Sequence, residues 1–126
     1  MKAFHYFVYA MTMMLCIGCK TQEVVSCEDV AKTSDMPWLA SIVKEGVSMQ
    51  GQKLESIDKI IYSTDNTSAA THIGFYVVYE DMCCDIPGAY IYDCDGNIIT
   101  SYGGIAGCTG ECNINIRSKN NLYTAR

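Results

Sequence analysis

The most regular stretch of the chain is His72–Glu80, where Ile73, Phe75, Val77 and Tyr79 alternate with Gly74, Tyr76, Val78 and Glu80. A period of two sends successive side chains to opposite faces, so this stretch predicts a strand with one strongly apolar face. Upstream the period changes. Leu39, Ile42, Val43 and Val47 recur at helical spacing. Ser34 or Asp35 can cap free amide groups at the start, Pro37 suits a first turn where its missing N–H is no loss, and Gly46 is a stop signal. A helix of about three turns needs tertiary packing to persist. Trp38, in its first turn, is read as its anchor on a sheet.

Asp58–Ser63 predicts a further strand, after a connector over 48–56. The polar run 64–71 predicts a loop. Ala89–Asp93 and Asn97–Tyr102 predict a hairpin, because Asp95-Gly96 between them supplies the positive φ that such turns need. Asp81–Gly88 reads as a turn, Gly103–Gly107 as a flexible segment and Ile114 with Ile116 as a last short strand. The expectation is an α+β fold: one short N-terminal helix on a small, mostly antiparallel sheet of about four strands, stapled by disulfides.

The N-terminus does not belong to that domain. From Phe4 to Ile17 the chain is almost wholly apolar, behind Lys2 and ahead of Lys20-Thr21-Gln22-Glu23. This run is short for a transmembrane helix and has the layout of a secretory signal. Leu15-Cys16-Ile17-Gly18-Cys19 resembles a bacterial lipobox, with Cys16 where leucine is usual. The resemblance implies cleavage before Cys19 and acylation of that residue. The boundaries expected are a signal peptide over 1–18, a lipid-anchored tether over 19–33, one domain over 34–117 and a tail over 118–126 that frays.

Cysteine use agrees with export. Of eight cysteines, Cys16 leaves with the signal and Cys19 carries lipid. Six remain (Cys27, Cys83, Cys84, Cys94, Cys108 and Cys112), an even number, as a closed disulfide set requires. The adjacent Cys83 and Cys84 point in different directions in extended chain and are expected to bond to separate partners, a vicinal bond being the strained alternative. Zinc is the rival for the thiolates, but the paired C-x-x-C spacing of common zinc modules is absent.

Other chemistry is sparse. A net charge of −5 with scattered basic residues argues against nucleic acid. Asp93-x-Asp95-x-Asn97 invites a calcium reading, but Gly96 falls between the second and third candidate ligands and Gly104 stands where the closing acid should be. Asn66-Thr67-Ser68 matches a glycosylation sequon by chance if the lipobox is bacterial. His72 lacks a nucleophile partner in sequence, and Glu80, Asp81 and Asp85 read as a solvated turn. No catalytic residue, cofactor or metal site is assigned. Trp38, Tyr90, Tyr92 and Tyr102 are the candidate binding surface.

From Pro37-Trp38-Leu39 through Cys83-Cys84-Asp85, Tyr92-Asp93-x-Asp95-Gly96-Asn97 and Gly103-Gly104-Ile105 to Cys112, the chain resembles a domain family of unknown function found in predicted Bacteroidota lipoproteins. The resemblance implies an outer-membrane lipoprotein, facing the periplasm or the cell surface, and no established activity. In that family the double cysteine and a cysteine near Cys112 recur. Cys94 and Cys108 look like additions, which implies that they pair with each other. The expected set is therefore Cys94–Cys108, Cys84–Cys112 and Cys27–Cys83, one of fifteen. The expected function is a monomeric, non-catalytic binding or structural module, held to the membrane through Cys19 and meeting an envelope protein. The alternatives are an inhibitor, for example of a protease, presenting a stapled loop such as 84–90 or 103–112, and a small enzyme or metal protein using Asp81, Asp85 or His72.

Overall fold

A computed structural model describes residues 25–64, 70–80 and 86–126. Among them the chain forms one helix, α1 (Pro37–Glu45), and six strands: β1 (Leu54–Ser63), β2 (His72–Tyr79), β3 (Pro87–Tyr92), β4 (Ile98–Gly103), β5 (Cys108–Gly110) and β6 (Asn115–Thr124). The strands form one sheet in the order β5-β4-β3-β2-β1-β6, with every neighbouring pair antiparallel. Among the described residues sheet dominates, with one short helix and two disulfides.

Helix α1 begins and ends where its residues require. Pro37 occupies the first turn, and Gly46 follows in the left-handed conformation (φ 66°), donating its N–H to the Ile42 carbonyl at 2.9 Å. An L-residue with a Cβ is strained there, and glycine is not. The helix lays Leu39, fully buried, into a cluster with Val30, Met36, Leu54, Ile57, Phe75, Val77 and Tyr79. Phe75, Val77 and Tyr79 are the alternating set that marked β2 as a strand.

The opposite face has its own cluster. Ile60, Tyr62 and Ile91 are buried, with Tyr76, Ile99, Tyr102, Ile114 and Ile116 packed around them. The cover comes from the connection between the two edge strands. Gly110 and Asn115 are five peptide steps apart, at most about 18 Å. A flat six-strand sheet would hold its edges about 24 Å apart. The sheet therefore curls, and residues 111–114 close over the curled face. Thr100, buried beneath, donates its hydroxyl to the Glu111 carbonyl at 2.7 Å.

The edges are poor templates for further pairing. β5 has three residues, and the β1–β6 ladder is irregular at Ile57/Asp58 and Ile61/Tyr62. Short edge strands and bulges both discourage edge-to-edge association.

Three expectations need correction. The sheet has six strands where about four were expected. β6 runs to Thr124, so most of the stretch expected as a fraying tail pairs with β1, and Leu122 and Tyr123 touch the helix-side cluster. The segment expected as a tether joins the domain before residue 34. Cys27–Asp29 forms a 3-10 turn, Val30 is buried, and Lys59 Nζ donates to the carbonyls of Glu28 and Val30, the latter at 3.2 Å.

Gly74 marks where the two faces depend on one residue. A Cβ there would lie 2.9 Å from a Tyr62 ring carbon and 3.0 Å from the Tyr92 carbonyl oxygen. The missing side chain lets the Tyr62 ring lie across the strand. Gly74→Ala should cost about 1–3 kcal/mol, the usual range for overpacking, read as a lower urea midpoint with an unchanged slope.

Candidate functional site

The side chains with chemical or recognition potential gather at the β3–β4 turn, where helix, hairpin and N-terminal segment meet. Asp93 builds the turn. Its carboxylate accepts the N–H groups of Asp95 and Asn97, each at 2.9 Å, and the Asn97 side-chain amide at 3.3 Å. Partial desolvation pushes its pKa up, but the bonds from Asn97, Asp95 and Gly96 outweigh that and hold it below the ordinary value. These oxygens are engaged by the turn itself, which explains the Asp-x-Asp-Gly-Asn pattern without an ion. Among the described residues no group of three or more His, Cys, Asp or Glu could hold a metal.

Trp38 closes over this turn. Its Nε1 donates to the Cys94 carbonyl at 3.3 Å, and its ring packs edge-on to Phe75 (centroids 5.4 Å apart) and tilted against Tyr92 (5.3 Å). Gly96, with φ 85°, lies directly against the indole. A Cβ there would come within 3.0 Å of it. Gly96 is thus demanded twice, by the turn and by the tryptophan.

Cys94, in the same turn, bonds to Cys27 with Cα atoms 5.8 Å apart, and the second bridge is Cys108–Cys112. All three expected pairings are therefore corrected. Cys94 precedes β4, whereas Cys108 pairs with Tyr102 near that strand's far end. Roughly 13 Å of strand lies between Ile98 and Tyr102, beyond the ~7 Å Cα limit of a bridge. Cys112 and Cys27 are likewise engaged elsewhere, which removes Cys84–Cys112 and Cys27–Cys83. Cys83, Cys84, Asp81 and Asp85 lie outside the described residues, as do Cys19 and the Asn66 sequon.

The candidate binding residues divide between faces. Trp38, Tyr90 and Tyr92 border the helix-side cluster, and Tyr102 sits on the other face against Tyr76, 6.2 Å between centroids. They do not form one surface. Tyr79, Tyr90 and Tyr92 instead form a row, with centroids 6.0 and 6.4 Å apart. Burial, then Tyr92, Tyr90 and Glu45, push the Tyr79 phenol up to about 12. His72 is exposed beside the Tyr62 ring, at 5.5 Å. A shallow groove of about 580 Å³ runs between Lys53, Glu55, Glu80 and Arg126 at the far end of β1. Sequence reading did not single it out, since its residues are scattered ends of strands. It mixes both charge signs, with the hydroxyls of Ser56 and Thr124 among them.

Compared with protein-family models, curated proteins and solved structures, the chain has no match. Among the described residues no helix is long and apolar enough to cross a membrane. The disulfides fit an exported protein.

The two bridges differ in what they constrain. Cys27–Cys94 spans 67 residues, and the chain-entropy relation gives about 4 kcal/mol for such a loop. The same relation gives about 2 kcal/mol for Cys108–Cys112, which spans four. The Cys27→Ser/Cys94→Ser pair should therefore lower stability about twice as much as Cys108→Ser/Cys112→Ser, in denaturant melts of both.

Tyr79 gives a pH test. Its folded pKa lies above the ordinary value of 10, so the fold favours the protonated phenol. That stability is complete below pH 10 and is lost as pH rises towards about 12. Phenolate absorbance should show a delayed ionisation that coincides with loss of circular dichroism. Ionisation of every tyrosine near pH 10 in an intact fold would contradict the burial.

Proposed function

We propose that the protein is an exported lipoprotein, anchored through Cys19, whose domain serves as a non-catalytic binding or structural module of the outer envelope; the resemblance to the Bacteroidota lipoprotein domain supports the compartment and supplies no activity. The observation that carries this reading is the structural engagement of Asp93, Trp38 and the four described cysteines. Asp93 is spent on its turn, Trp38 on Gly96 and Cys94, and the four described cysteines on bridges. A cysteine in a disulfide is no nucleophile. The bridges support an oxidising compartment, and the apolar run ending at Cys19 supports the route there.

One observation favours a second reading, an inhibitor of an enzyme such as a protease. The 103–107 loop carries Ile105 at 85% exposure, and the Cys108–Cys112 bridge lies beside it. A saturable, tight complex with a single protease class would favour the inhibitor over the general module.

The test of the anchor is intact mass of the full chain purified from membranes. The expected mass is that of a chain starting at Cys19 with acyl groups added. Cys19→Ser should release the protein from the membrane fraction. An unmodified Cys19 would overturn the lipoprotein reading.

A further inference from the structure

We infer that the Cys27–Cys94 bridge fixes how the domain stands on the bilayer: the end bearing the 93–97 turn faces the lipid, and the end bearing Met49 and Ile105 faces away. This inference rests on the acylation of Cys19 proposed above. Cys27 follows Cys19 by eight residues, a leash of at most about 28 Å when fully extended. The bridge ends that leash at the β3–β4 turn. Lys59, bonding to the carbonyls of Glu28 and Val30, and the burial of Val30 hold the chain that follows against the sheet.

The sheet itself supplies the measuring rod. At the bridged end, Tyr62 pairs with His72 and Ser63 with Asn115. At the other end Leu54 pairs with Tyr79, and Pro87 with Gly103. β1 alone covers ten residues, about 30 Å, and the loops over 47–53 and 103–107 extend the far end further. Cys94 Sγ lies 3.6 Å from the Ile73 carbonyl, and Ile73 pairs with Ile61, so inversion would draw the leash about 23 Å along β1 to Leu54 and then past the far-end loops. The far end therefore reaches the headgroups only with the leash drawn out to about its full extension.

The two ends differ in surface chemistry, and Ile61 (38% exposed) and Ile98 (52%) lie at the bridged end. Exposed Glu28, Asp29 and Asp95 lie around the bridged end, so that end stands beside the headgroups and does not insert. The most exposed large apolar side chains, Met49 at 102% and Ile105 at 85%, are both on the far-end loops.

The chain has a single tryptophan, Trp38, and it sits at the bridged end. It is an intrinsic donor for energy transfer to a dansyl headgroup in phosphatidylcholine vesicles. The acylated full chain is reconstituted, and intact mass first establishes whether Cys19 carries lipid. With the lipid present, transfer from Trp38 should be efficient. Adding a second donor through Ile105→Trp, with Trp38 in place, should lower the mean transfer towards half, about twofold at most, because one of the two donors is then distant. A Gly-Ser linker that doubles the leash after Cys19 should weaken the Trp38 signal. Mean transfer unchanged or raised by the Ile105→Trp donor would overturn the orientation and leave the anchor standing. An unacylated Cys19 would overturn both. Ile105 is exposed, so the variant should keep the fold, and circular dichroism matched to the parent checks it.

Discussion

Trp38 against the β3–β4 turn is the contact on which the rest of the structure depends. Through it a nine-residue helix, too short to persist alone, gains a fixed point on the sheet. The same turn holds Cys94, so the bridge to Cys27 brings the N-terminal segment to that place as well. Three pieces of chain distant in sequence meet at one turn, and Gly96 is the residue that lets the indole approach it. Losing the indole would uncover Phe75 and Tyr92 and leave the helix held by Leu39 and its neighbours in the core.

The second constraint is the connection from β5 to β6. Because its few residues must join opposite edges of a six-strand sheet, the sheet curls and the cover over Ile60, Tyr62 and Ile91 follows. One face is thus closed by a helix and the other by the chain's own crossing segment. This is how a domain of this size buries apolar side chains on both sides of a single sheet. Gly74 links the faces, since the ring it admits belongs to one cluster and its neighbours Phe75 and Ile73 point toward the other.

What could be read from sequence was what periodicity and turn chemistry record. Helix α1 runs from Pro37 to the residue before Gly46, and β2 covers the alternating stretch from His72, because burial on one face wrote the pattern. The Asp95-Gly96 hairpin was legible for the same local reason. The start of β6 was expected as a short strand at Ile114 and Ile116, but its extension to Thr124 was not, because residues 117–121 are exposed and polar, and its place is set by the β1 backbone. β5 was hidden by its glycine and its brevity. The disulfide pairing was read from family resemblance, and distance along β4 overruled it: Cys94 and Cys108 sit at opposite ends of that strand. The split of Trp38, Tyr90 and Tyr92 from Tyr102 also needed the register, since no sequence period spans two strands and a bulge.

These features leave a domain whose recognisable chemistry serves its own architecture, with the bridge from Cys27 to Cys94 at its centre. Peptide mapping under non-reducing conditions, on protein exported through an oxidising compartment, tests that most directly. The expected result is a linked pair of peptides containing Cys27 and Cys94, and a separate peptide closed on itself by Cys108 and Cys112. A peptide joining Cys94 to Cys108, or a free thiol at Cys27, would contradict the account of how helix, turn and N-terminal segment are held together.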